Sequence, residues 1–101
     1  MKKNICFDFD DVVCDGQTPM EGAERSLIKL INMGYKVTIL SSNNSEYIRQ
    51  WIENNMPTLY IFYRNRNLTI TNIKPVAIAY VDDKAIKFTS WQEVMTNFKP
   101  L

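Results

Sequence analysis

Ile5-Cys6-Phe7-Asp8-Phe9-Asp10-Asp11-Val12-Val13 is the stretch whose reading decides the fold. An apolar run passes directly into acids. Under the two-residue alternation of a strand, Phe7 and Phe9 fall on one face and Asp8 and Asp10 on the other. Residues 4–10 therefore predict a buried strand with carboxylates at its carboxyl end. The pattern recurs at Val76-Ala77-Ile78-Ala79-Tyr80-Val81, which ends in Asp82-Asp83 and reads as a central parallel strand covered on both faces. A third run, residues 35–40, is β-branched and opens onto Ser41-Ser42-Asn43-Asn44.

Helices are expected between these strands. Ala23, Leu27, Leu30 and Ile31 share one helical face over residues 21–33, and Gly34 stops that helix. Ile48, Trp51 and Ile52 do the same over 45–55, before Asn55 and Pro57. Leu59 to Tyr63 reads as a third strand. Residues 64–72 read as a polar connection in which Leu68-Thr69-Ile70-Thr71 can form a short strand. Ser90-Trp91-Gln92-Glu93 is a capping box that predicts a last helix over 91–98. Trp51 and Trp91 lie on apolar faces and are expected in the core. The order β-α-β-α-β-β-α implies an α/β fold, a three-layer Rossmann-like sandwich around a mainly parallel sheet, as a single domain over residues 1–101. Ligands of such sheets bind beyond the carboxyl ends of the strands, where Asp8, Asp10, Ser41, Asp82 and Asp83 meet if the first strand is central.

Composition narrows the chemistry. The chain has 101 residues, 46% apolar and 23% charged, with a net charge of +1, which describes a globular domain without a broad pull toward nucleic acid or anionic lipid. It contains no histidine, so Ser-His-Asp and Cys-His relays, imidazole bases and His-ligated zinc are excluded. Gly16, Gly22 and Gly34 are scattered and form no phosphate-cradling loop, which excludes a P-loop nucleotidase. Asp8, Asp10 and Asp11 break the apolar stretch after Met1-Lys2-Lys3 before it reaches signal-peptide length. No run is long enough to span a bilayer, and the expected location is cytoplasmic. Cys6 and Cys14 lack CxxC spacing and read as buried thiols of a reducing compartment.

Every aspartate lies in one of two short stretches: Asp8, Asp10, Asp11 and Asp15, then Asp82 and Asp83. Brought together without a cation, these carboxylates repel one another at a cost of several kcal/mol when partly buried. Oxygen donors without imidazole or clustered thiolate select a hard divalent ion, and Mg²⁺ is the expected cofactor. Carboxylate-bound Mg²⁺ keeps positions for phosphate oxygens, which points to phosphoryl transfer.

These residues resemble the haloacid-dehalogenase superfamily of phosphotransferases, whose motifs fall in order over residues 5–83. The first motif, an apolar strand followed by DxDx[TV], is similar to Asp8-Phe9-Asp10-Asp11-Val12. The second, a strand ending in Ser or Thr, is similar to Val37-Thr38-Ile39-Leu40-Ser41. The third is a lysine at Lys74, with Lys84 and Lys87 as nearby alternatives. The fourth, a strand ending in paired acids, is similar to Val81-Asp82-Asp83. The resemblance implies a nucleophile at Asp8, an acid/base at Asp10, a phosphate-binding hydroxyl at Ser41 and a charge-neutralising lysine at Lys74. It implies Mg²⁺ held by Asp8, Asp10 through its backbone carbonyl, and Asp82, with Asp83 close by. Asp11 stands where many members have glycine. A dehalogenase would lack Asp10, so the resemblance implies a phosphatase.

The superfamily's caps are inserted after the first motif or after the third strand. The gaps of about ten residues at those points are too short for one. The resemblance thus implies a capless member with an open site, suited to a large phosphorylated partner or to a small substrate enclosed by a second subunit of a homo-oligomer. Arg64 and Arg66, beside Tyr60, Phe62 and Tyr63, read either as a solvated turn or as a nucleic-acid contact. A receiver domain would need a phosphorylated aspartate at the end of its third strand, where this chain has Arg64-Asn65. The alternative function is a non-catalytic binding or regulatory module on the same fold.

Overall fold

A computed structural model describes residues 3–82 and 86–101 of the chain. Five strands form one sheet: β1 (Asn4–Asp8), β4 (Lys36–Leu40), β5 (Leu68–Thr71), β6 (Ala79–Asp82) and β7 (Ile86–Lys87). Their spatial order is β5-β4-β1-β6-β7, with β1 central as expected, and every pairing is parallel. The short strands β2 (Cys14–Asp15) and β3 (Thr18–Pro19) form a separate hairpin that fills the connection after β1. Four helices complete the mixed α/β fold: α1 (Ala23–Asn32), α2 (Ser45–Asn55), α3 (Pro57–Arg64) and α4 (Trp91–Met95). Among the described residues no helix is long and apolar enough to cross a membrane.

The two faces of the sheet differ. Ile5, Phe7, Val37, Ile39, Leu68 and Val81 point to one side and are sealed in a single apolar core. The same core holds Leu27 and Leu30 of α1, Ile48 and Ile52 of α2, Leu59 of α3, and Trp91 and Val94 of α4. All four helices therefore pack on that one face. The opposite face carries Asn4, Cys6, Asp8, Thr38, Leu40 and Tyr80, none of which belongs to the core cluster.

This arrangement corrects the three-layer expectation, and the cause is visible in the chain. A right-handed crossover from β5 to β6 must pass over the second face, but residues 72–78 contain no helix. They lie there as an extended strap. Asn4 Nδ2 donates to the Val76 carbonyl (3.2 Å), and the Tyr80 hydroxyl donates to the Pro75 carbonyl (2.6 Å). The strand expected over 76–81 accordingly begins at Ala79, with Val76 94% exposed rather than covered on both sides.

A second correction concerns Leu59 to Tyr63, which is helical. Pro57 occupies the first turn of α3, where its missing N–H is harmless and its fixed φ favours the helix. Wrapping the segment as a helix also turns Leu59, Phe62 and Tyr63 toward the core. The third strand is Leu68–Thr71. It runs into Asn72-Ile73 rather than an acid, so the aspartate that a receiver domain would carry at this strand end is absent here too. The last helix is also shorter than expected, ending at Met95. Ser90 caps it, its Oγ accepting from the Glu93 N–H at 3.2 Å.

Candidate functional site

The backbone leaving β1 builds the centre of the site. Phe9 N–H donates to the Leu40 carbonyl (3.0 Å), holding the chain against β4 for one more residue than the strand proper. The Phe9 carbonyl then accepts from both Val13 and Cys14 (3.0 Å each), closing a turn that lifts Asp10 and Asp11 out of the sheet. Asp11 sits in the left-handed region at φ 64°, a conformation in which aspartate is one of the few tolerated side chains and glycine is freer still. Below the turn, Trp91 Nε1 donates to the Val12 carbonyl at 2.9 Å, and its ring lies 5.1 Å from that of Phe7. The acid turn is thus fastened to α4.

Strand register sets the carboxylates side by side. Phe7 pairs with Val81, so Asp8 and Asp82 come next on adjacent strands, both directed to the face opposite the helices. Two cavities open at this edge, and Asp8 and Asp10 line both. One, of about 340 Å³, adds Asp11, Asp82, Lys87 and Phe88. The other, of about 260 Å³, adds Leu40, Ser41 and Ser42. The Asp8–Asp10 ridge therefore has acids on one side and hydroxyls on the other.

Ser41 is buried, and its Oγ accepts from the Asn43 N–H at 3.1 Å. A hydroxyl has one proton to give; with its acceptor side engaged by Asn43, that proton is available to a phosphoryl oxygen. Lys74 lines neither cavity. Its Nζ sits 4.5 Å from the centroid of the Tyr80 ring, on the strap, and Tyr80 stands beside Cys6 in register. Burial pushes the Cys6 thiol up to about 11, the Asp8 and Asp82 carboxylates push the same way, and Lys74 opposes them. Lying over Tyr80, which shares the face of Cys6 and Asp8, Lys74 is on the same side of the sheet as the acids.

Lys87 was the less obvious lysine in the sequence because it follows the acidic pair instead of preceding the strand. It pairs in register with Asp82 and lines the acid cavity directly. The signal that could have found it is the two-residue strand Ile86–Lys87, too short to register as a strand by pattern. Asp83 and Lys84 lie outside the described residues. Arg64 and Arg66 are not brought to this edge. They border a separate cavity with Lys36 and Leu68, at the amino ends of β4 and β5.

The donors in the acid cavity suit a hard cation. They are all oxygens, and Mg²⁺ takes one or two protein carboxylates together with water and substrate phosphate rather than a full protein cage. Among the described residues no three His, Cys, Asp or Glu side chains gather closely enough to enclose a metal by themselves. Two adjacent carboxylates, Asp8 and Asp82, satisfy the smaller requirement. Compared with protein-family models, curated proteins and solved structures, the chain matches none of them.

Proposed function

We propose that the chain is a Mg²⁺-dependent phosphatase of the haloacid-dehalogenase type, acting on a phosphomonoester through an aspartyl-phosphate. The observation that carries this reading is the convergence of three strand ends on one ridge, with Asp8, Asp10 and Asp82 about one cavity and Ser41 in the next. Carboxylates alone there would be a cost to the fold, and a phosphoryl group with its cation turns them into a site.

In this reading a carboxylate oxygen of Asp8 attacks phosphorus and the bond to the leaving oxygen breaks. Asp10 gives its proton to that oxygen, then takes a proton from the water that attacks the aspartyl-phosphate, releasing inorganic phosphate. Ser41 donates to a phosphoryl oxygen, while Lys74 and Lys87 offset negative charge on either side. Asp8 and Asp82 would hold Mg²⁺, with the Asp10 backbone carbonyl and Asp83 as further candidates. When bound, the ion neutralises charge shared by the nucleophile and the phosphate.

The test is hydrolysis of p-nitrophenyl phosphate with Mg²⁺ by the wild type and by Asp8→Asn. Loss of the nucleophile should lower the rate by about 10³-fold or more. Equal rates from the two proteins would sink the assignment of Asp8. No turnover on a broad panel of phosphomonoesters would favour a binding module instead.

A further inference from the structure

A cavity of about 640 Å³ adjoins the carboxylate site without being part of it. It is a groove between α1 and α4. Gly22, Arg25 and Lys29 line it from one stripe of α1, and Trp91 and Met95 line it from α4. Seven residues of helix rise give the α1 wall a length of about 10 Å. Phe88 belongs to both this groove and the acid cavity, and Trp91 is bonded to Val12, which lines the acid cavity from below. A molecule with one end at Asp8 can therefore extend past Phe88 into the groove without leaving the surface.

The charge of the groove differs from that of the acid cavity. Arg25 and Lys29 are exposed, one helical turn apart on the same face, and neither has an ion-pair partner among the described residues. Among the residues lining the groove, Glu21 is the one carboxylate. Two cations one turn apart, without ion-pair partners among the described residues, thus lie in the groove beside the carboxylate cavity, a spacing that suits one anion.

We propose that the groove receives the leaving group of the substrate, and that this leaving group carries a second phosphate bound by Arg25 and Lys29. The inference rests on the phosphatase reading. The second phosphate takes no part in the chemistry: the P–O bond broken is the one at Asp8, and the departing alcohol keeps its other phosphate. Such a substrate is a bisphosphorylated small molecule or the phosphorylated end of an oligonucleotide.

The experiment compares kcat/KM for three substrates: p-nitrophenyl phosphate, fructose 1,6-bisphosphate and a 5′-phosphorylated thymidine dinucleotide. Each is measured with the wild type, with Arg25→Ala/Lys29→Ala, and with the charge-preserving Arg25→Lys/Lys29→Arg. The wild type should prefer one of the two doubly phosphorylated substrates over p-nitrophenyl phosphate. The alanine pair should lower that preference at least tenfold, and the charge-preserving pair should restore most of it. Which of the two substrates shows the effect identifies the source of the second phosphate. A preference that changes less than twofold in the alanine pair overturns the proposal.

Failure of the phosphatase reading has a different signature, no turnover of any of the three by the wild type. Calorimetric titration with fructose 1,6-bisphosphate and with the dinucleotide then decides the groove by itself. Binding weakened by the alanine pair retains it as an anion site, and binding of equal strength in both proteins overturns it.

Discussion

Trp91→Phe tests the fastening of the acid turn to α4. The substitution keeps an aromatic ring against Phe7 and Phe88 but removes the Nε1–H that the buried Val12 carbonyl accepts at 2.9 Å. Leaving a buried acceptor without its donor costs about 1–3 kcal/mol. The smaller ring leaves a void of methyl size or more, adding about 1 kcal/mol. The expected loss of about 2–4 kcal/mol is a large share of the roughly 5–15 kcal/mol typical of a domain. With a urea slope of about 1.5 kcal/mol per molar, the unfolding midpoint should fall by about 1.3–2.7 M. Trp51→Phe is the control. Trp51 donates to the Gln17 carbonyl at the longer distance of 3.3 Å, and Gln17 is exposed, so water replaces the lost donor. Its midpoint should fall by less than half as much. A Trp51→Phe loss equal to or larger than that of Trp91→Phe would refute the claim that burial of the Val12 carbonyl sets the magnitude.

Three further outcomes are expected. Mg²⁺ at about a hundred times its dissociation constant should stabilise the wild type by about 2.7 kcal/mol; differential scanning calorimetry should show a much smaller rise for Asp82→Asn, and an equal rise in both would remove Asp82 from the ligand set. At φ 64° Asp11→Val should be about 1–2 kcal/mol less stable than Asp11→Gly, and equal melting temperatures would show that the turn relaxes. Cys6 and Cys14 are both buried, with thiols raised above their ordinary range, foremost by that burial. Both should resist iodoacetamide at pH 8 in the native protein and react in urea, as mass spectrometry would show; rapid native labelling of either would contradict its burial.

The meeting of the strand ends at the candidate site was more legible in the sequence than the course of the connections was. Asp8, Asp82 and Ser41 announce themselves because an apolar strand that ends in polar chemistry is a local pattern, and parallel pairing carries those ends to one edge without further information. Leu59 to Tyr63 was misleading because an aromatic and β-branched run has strand propensity, and propensity yields to the packing of Leu59 and Phe62 once Pro57 starts a helix. The exposed strap could not be read from residues 76–78, since Val76 and Ile78 look like core until the missing crossover helix leaves them uncovered. Lys87 could be named only as an alternative to Lys74, because its place depends on the pairing of β7 with β6, a register that no local pattern specifies.

The hydrogen bond from Asn4 to Val76 joins residues 72 positions apart, whereas the bond from Thr38 to Asn4, also on the open face, spans 34. Closing a loop of twice the length costs about 0.6 kcal/mol more in chain entropy. The β1–β4 pairing therefore closes the shorter and less costly loop, and the β1–β6 pairing the longer one. Asp8 lies on the strand common to both pairings, and Asp82 on the one that needs the longer closure. A ligand gripping both would act as a clasp across that longer closure, reinforcing what the β1–β6 pairing and the strap already hold.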